Sequence, residues 1–395
     1  MKIKIKKRHI ILAAVNVLCL AGFLTLILIG SAQGKSQTYN YACRRWAGED
    51  SEDYSQFSIF ASDSAGFTTD SLGSIRSTVL DSLQTVSIVP EEGQKLCPDA
   101  YSAPVGKATV RSDINGRSEA EVTAVGGDFF TINNFRLIDG SFFSDEDLMQ
   151  DGAVIDRDLA WAIYGGSEVS GMQIEINGTQ FYISGVVEVP ETDEEKKCAG
   201  ELPRAYISYD GASDFASVSM PDDMDEEKPQ QNFPQQRFNK ITCYELIMPD
   251  PVEGYAMQAL ENFSKSYENK VSIICNNSRF GFWTRLSSVK KFSDIAVKDS
   301  DIIYPYWENA SRIVEFRLTL LYSIASLFLI IPIITAVWLI IKGIKYIKKN
   351  KRKIIIKISG LFRKKKSSAP EENEETIPNP NQLTAENDIR KDLTT

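Results

Sequence analysis

One histidine, His9, stands among Lys2, Lys4, Lys6, Lys7 and Arg8, ahead of a long apolar run. Everything after it is histidine-free, which excludes a Ser-His-Asp triad, a Cys-His dyad, an HExxH zinc site and any His-ligated metal centre. Carboxylates remain for acid–base work, but with 46 Asp and Glu between residues 31 and 316 some pair must lie close by chance, and no pair stands out. The densest acid cluster, Asp222, Asp223, Asp225, Glu226 and Glu227, lacks the glycine and spacing of an EF-hand loop, so it reads as a solvated charge run and no metal is expected. Val105-Gly106-Lys107-Ala108 lacks the first glycine and the hydroxyl of a P-loop, so no ATPase of that kind and no cofactor are expected. Of six cysteines, Cys19 lies in the apolar run and Cys43, Cys97, Cys198, Cys243 and Cys275 follow it. None forms a CxxC pair, an odd set leaves at least one thiol unpaired within the chain, and spacing does not fix the pairing. No residue is assigned a catalytic role, and the chain is not read as an enzyme.

The elements that hold these residues are set by charge. Ile10 to Ile29 carry no charge and are long enough to cross the hydrocarbon core of a bilayer. A second uncharged run covers Leu318 to Ile341, with Pro332 inside it, and twelve basic residues without an acid follow between Lys342 and Lys366. Residues 31–316 hold 24 basic and 46 acidic side chains, a net of −22. Basic flanks stay in the cytoplasm, so the expectation is a cell-membrane protein of two spans, both termini inside and the acidic loop outside. Its partners are the lipid bilayer and not nucleic acid. Gly30-Ser31-Ala32 would also suit a signal peptidase, although the apolar run is longer than a signal peptide needs. The resulting divisions are 1–9 basic terminus, 10–30 first span, 31–317 external domain, 318–341 second span, 342–366 basic juxtamembrane segment and 367–395 disordered tail.

Within 31–317 the fold class is α+β. Residues 55–61 alternate as a strand, and Leu72, Ile75, Val79, Leu80 and Leu83 form a helical stripe suited to a core. Asn115-Gly116 and Asn177-Gly178 each sit between alternating runs and predict two hairpins. Ala153 to Asp156 reads as a strand, Asp158 to Tyr164 as a helix closed by Gly165, and Tyr244 to Cys275 as strand, helix, strand. Residues 190–202 and 220–240, rich in Glu, Asp, Pro and Gln, read as loops. Gly126, Gly127, Gly140, Gly171 and Gly185 are expected to permit turns, and Phe129, Phe130, Phe142 and Trp161 to pack the core.

The order of motifs resembles a known family. Val125-Gly126-Gly127-Asp128-Phe129-Phe130, then Leu137 to Gly140 and Phe142-Phe143-Ser144, are followed by Ala153-Val154-Ile155, Leu159 to Gly165, Gly171-Met172 and Phe181 to Val187. This run, best over 121–190 and extending over 40–300, is similar to the extracytoplasmic core domain of MacB-like permeases, related to FtsX-type permeases of ABC systems. The resemblance implies a permease partner or homodimer, a separate or fused ABC ATPase, and conversion of the ATPase cycle into motion of the outer domain. Such permeases have three helices after the external domain, whereas one apolar run follows it here. The basic stretch with Ile344, Ile347, Ile354, Ile358 and Leu361 suits an anionic membrane surface as well as a stop-transfer flank.

Three functions are weighed on this basis. The first is a non-catalytic component of an ABC-type export or mechanotransmission complex, with Trp307 to Leu321 continuing as a helix into the membrane as a rigid lever. The second is a stand-alone anchored binding, scaffold or signalling module. The third, a carboxylate ectoenzyme, has no specific residue in its support.

Overall fold

Alternation along Tyr54–Ala61 shows how the domain between the apolar runs is layered. Phe57, Ile59 and Ala61 enter one core, while Phe60 enters a second on the opposite face, with Gln56 and Ser58 on its side. The computed structural model describes residues 7–48, 54–89, 95–190, 192–212, 238–250, 254–267, 270–291 and 301–366. The acid cluster at Asp222–Glu227, residues 1–6 and the polar stretch 367–395 lie outside the described residues.

The elements run α1 (Lys7–Lys35), α2 (Ala42–Ala47), β1 (Tyr54–Ala61), α3 (Thr69–Thr85), β2 (Asp99–Ser112), β3 (Arg117–Gly127), α4 (Phe129–Asn133), β4 (Leu137–Gly140), β5 (Gly152–Asp156) and α5 (Arg157–Tyr164). They continue with β6 (Gln173–Ile176), β7 (Thr179–Val187), α6 (Asp193–Ala199), β8 (Arg204–Ser208), β9 (Cys243–Pro249), α7 (Tyr255–Ser264), β10 (Val271–Cys275), α8 (Phe282–Ser287) and α9 (Tyr306–Phe328). All of these belong to one compact unit, and α10 (Ile330–Lys366) to a second.

The strands form one mixed sheet in the order β10-β1-β9-β2-β3-β8-β5-β7-β4, with β6 bridging β2 and β7. Pairs β3/β8 and β5/β7 are parallel and the others antiparallel. Helices α3, α5 and α7 cover the first core, while α2, α4 and the start of α9 close the second. In α3, Leu72, Ile75, Val79 and Leu83 are buried, each stabilising the fold by roughly 1.5–3 kcal/mol. Leu80 falls between their directions and stays exposed.

Both Asn-Gly hairpins form as expected, with Asn115, Asn177 and Gly178 at positive φ. At Gly140 the φ is +74°, and a Cβ would stand 2.2 Å from the Ser184 carbonyl oxygen, so only glycine lets β4 meet β7 there. Two expectations need correction. Residues 193–199, read within a loop, are helix α6: Thr192 and Glu195 make a reciprocal capping box, acids fill the first turn and Lys196 and Lys197 the last. Trp161, read as core, is 57% exposed on the outer face of α5; Leu159, Ala160 and Ile163 fill the inner face, and the indole Nε1 donates to Ser167 Oγ instead.

Candidate functional site

The buried polar and charged residues that form the candidate site gather where two long helices meet the sheet. Helix α1 and the following turn at Thr38–Tyr41 lead into the domain, and α9 leads out of it. The pair run antiparallel: Gly22 faces Phe328, Gly30 faces Tyr322, and Gly34 faces Phe280 and Leu318. A Cβ on Gly30 would lie 2.4 Å from the Tyr322 ring, so the helices approach this closely only because position 30 carries no side chain. Asn16, within the apolar part of α1, donates to the Leu12 carbonyl one turn back.

Above the helix pair lies a buried polar network. Asn40 Nδ2 donates to Asn276 Oδ1 at 3.0 Å, and Asn40 Oδ1 accepts from Ser311 Oγ at 2.8 Å. Asn276 Nδ2 donates to Ser58 Oγ at 2.9 Å, and Gln56 bonds both the Tyr39 carbonyl and the Ala42 amide. The turn after α1, strand β1, the segment after β10 and helix α9 thus share one set of hydrogen bonds. Burial makes each of them costly to leave unmade, about 1–3 kcal/mol per stranded group.

Beside it stands an ion cluster. Arg279 donates to both oxygens of Glu308 at 2.8 Å and to Glu315 Oε2 at 3.0 Å. Arg285 lies 2.6 Å from Glu315 Oε1, and Arg312 Nε donates to Glu308 Oε1 at 2.8 Å. The Arg279 and Glu308 side chains are 1% and 0% exposed, so this is an interior charge cluster. Burial opposes the Arg279 charge, but Glu308 and Glu315 outweigh it and raise the guanidinium above its ordinary value. Burial likewise pushes Glu315 up, and Arg279 and Arg285 more than reverse this, leaving it below the usual carboxylate range. The fork of Arg279 fits a carboxylate in one orientation, so α9 cannot shift by a turn without stranding a buried charge.

Glu245 on β9 points into the second core. Asn133 Nδ2 donates to one of its oxygens at 3.1 Å, and the other finds no partner among the described residues. Burial pushes this carboxyl well above its ordinary value, and the charge of Glu308 adds to the effect.

Of the residues singled out in the sequence, Phe129 and Phe130 reach this region: Phe129 lies 5.8 Å from Trp307 at the start of α9, and Phe130 stacks on half-buried Phe142 at 4.6 Å. Gly127, Gly140 and Gly171 take positive φ, whereas Gly126 and Gly185, expected at turns, lie within β3 and β7, where the Tyr101 ring and the Ser141 carbonyl leave no room for a Cβ. Asn40, Asn276, Arg279, Arg285, Glu308, Arg312 and Glu315 were not foreseen. Glu308, Arg312 and Glu315 recur at 4 and 3 on one helix face just before an uncharged run, which is a readable signal. Their partners Arg279 and Arg285 give no local sign.

Nothing in this geometry aligns a nucleophile with a base, and no group of His, Cys, Asp and Glu that would hold a metal occurs among the described residues. The arrangement joins two helices, each long and apolar enough to cross a membrane, to a mixed sheet. The class is therefore a membrane-associated protein carrying an α+β domain between apolar helices. Residues 48–233 match the family model of the MacB-like periplasmic core domain. No curated protein matches it. Among solved structures it is similar to the extracellular domain of the noncanonic ABC-type transporter YknZ from Gram-positive bacteria, with 11% identity over 55% of this chain and 99% of that one, at a TM-score of 0.36. It is also similar to the periplasmic region of MacB from Actinobacillus actinomycetemcomitans, with 16% identity over 56% of this chain and 89% of that one, at a TM-score of 0.34.

Proposed function

We propose that the chain is a non-catalytic membrane component of an ABC-type export or mechanotransmission complex. In this reading α1 and the run Leu318–Ile341 cross the membrane, both termini are cytoplasmic, and the MacB-like domain stands outside. The observation that carries the proposal is the buried Arg279–Glu308–Glu315 cluster with its Asn40–Asn276–Ser311 neighbour. It fixes both helices to the sheet, so a tilt of the pair moves the domain as a body rather than being absorbed by a hinge. The partners are a separate ABC ATPase and a permease or second copy of this chain.

A mild-detergent pull-down of the full chain, read by mass spectrometry of its membrane partners, tests this. Recovery of an ABC ATPase, lost when the tail after Ile341 is deleted, is expected. Recovery of wall or surface proteins alone would replace the proposal with an anchored binding module.

A further inference from the structure

Helix α8 and the residues beside it sit against the membrane helices rather than on the domain. Arg279 before it and Arg285 within it reach the same carboxylate, Glu315 on α9, so the segment is pinned at both ends. That pinning fixes which side chains face outward. Phe280 is buried against Gly34, and the Phe282 ring meets Phe23 of α1 edge-on at 5.9 Å and Tyr322 of α9 at 5.4 Å. Next to it Trp283 turns away from the protein and is 78% exposed. Val289 and Lys290, just past the helix, are exposed as well.

An exposed tryptophan alone means little. Its height decides the matter. Phe23 stands six residues inside the uncharged run Ile10–Ile29, about 9 Å along the helix axis from Ile29. Tyr322 stands four residues inside the run that begins at Leu318, about 6 Å along its axis. A ring touching both lies below the end of each apolar run nearest the domain, at a depth where the surroundings of a crossing helix are lipid.

We infer that α8 is a membrane-inserted peg of the external domain, with Trp283 seated in the outer leaflet of the bilayer, at the boundary of acyl chains and headgroups. Tryptophan suits that zone because its ring is largely apolar and its N–H can still reach a polar partner. Lys290, farther along the chain, supplies a cation for the lipid phosphates. Since the two arginines hold the peg to α9, it sets the height of the domain on the membrane. The inference rests on the two-span reading above.

The test compares the full chain with Trp283→Phe and Trp338→Phe, each reconstituted in phosphatidylcholine vesicles, with tryptophan emission quenched either by lipids brominated high on the acyl chain or by aqueous iodide. Trp283 meets the Phe282 ring edge-on at 5.1 Å, a contact that phenylalanine at 283 can keep, and Trp338 lies within the second apolar run and reports on that span by itself. The emission removed by Trp283→Phe is expected to be quenched by bromolipid and shielded from iodide. Quenching of that component by iodide alone, while the Trp338 component responds to bromolipid, would overturn the peg and leave the two-span reading intact. A Trp283 component shielded from both quenchers would mark a protein partner seated on α8 and would also overturn it. Loss of bromolipid quenching from both components would remove the two-span reading and the peg with it.

Discussion

Among single residues, the two buried acids of the second core make opposite demands. Glu308 is held by three contacts from two arginines, and removing its charge leaves the buried Arg279 only Glu315, which Arg285 already shares. Glu308→Gln should therefore cost about 3–5 kcal/mol, seen as a lower denaturant midpoint of the full chain in detergent. A hydrophobic pair at 279 and 308 should cost less than the sum of the single changes, because neither charge is then left alone. Glu245 has no cation partner among the described residues, and burial raises its carboxyl. The folded state thus binds a proton that the unfolded state has released. The stability this contributes is complete below the ordinary carboxylate pKa and is lost as pH rises toward the elevated folded value, with a slope of up to about 1.4 kcal/mol per pH unit. Glu245→Gln should flatten that slope in Tm measured from pH 4 upward; an unchanged slope would mean that Glu245 is ionised in the fold.

At the scale of elements, the decisive contact is the close approach of α1 and α9. Gly30→Val would place a side chain inside the Tyr322 ring, forcing the helices apart at a cost of about 1–3 kcal/mol. Tyr322→Ala in the same chain should recover part of that loss, and strict additivity of the two changes would show that the rings and glycines do not meet. Elements also mark how far the sequence could be read. Strands and hairpins were legible because Asn-Gly turns and period-2 alternation are local properties. Helix α6 was not, because its acidic composition masked a capping box that Thr192 and Glu195 spell out in four residues. Thr192→Ala should cost about 1 kcal/mol and loosen α6 from α9, where Glu194 pairs with Arg317. The site itself was half legible. The charged stripe of α9 obeys a helical period, whereas Asn276, Arg279 and Arg285 become its partners only through the antiparallel pairing of β1 with β10, which no local pattern encodes. Trp161 failed for the converse reason: its apolar type suggested a core, but its position on α5 is set by Leu159, Ala160 and Ile163 around it.

At the scale of the whole molecule, charge governs how the chain meets the membrane. Residues 31–316 carry a net of −22, while Lys2 to Arg8 and the twelve basic residues after Ile341 carry no acid among them. Lysine and arginine near a span resist translocation and acids do so little, so the proposed topology keeps both basic flanks on one side and sends the acidic domain across. Cysteines placed at Lys2, at exposed Glu119 on β3 and at Thr395 should therefore divide into two classes toward a membrane-impermeant maleimide. The position 119 thiol should react in intact cells, and those at 2 and 395 only after permeabilisation. A position 395 thiol that reacts from outside would leave α1 as the single crossing. The tilt of a helix pair could then no longer carry a cytoplasmic cycle to the domain, and the ion cluster at Glu308 would serve stability alone.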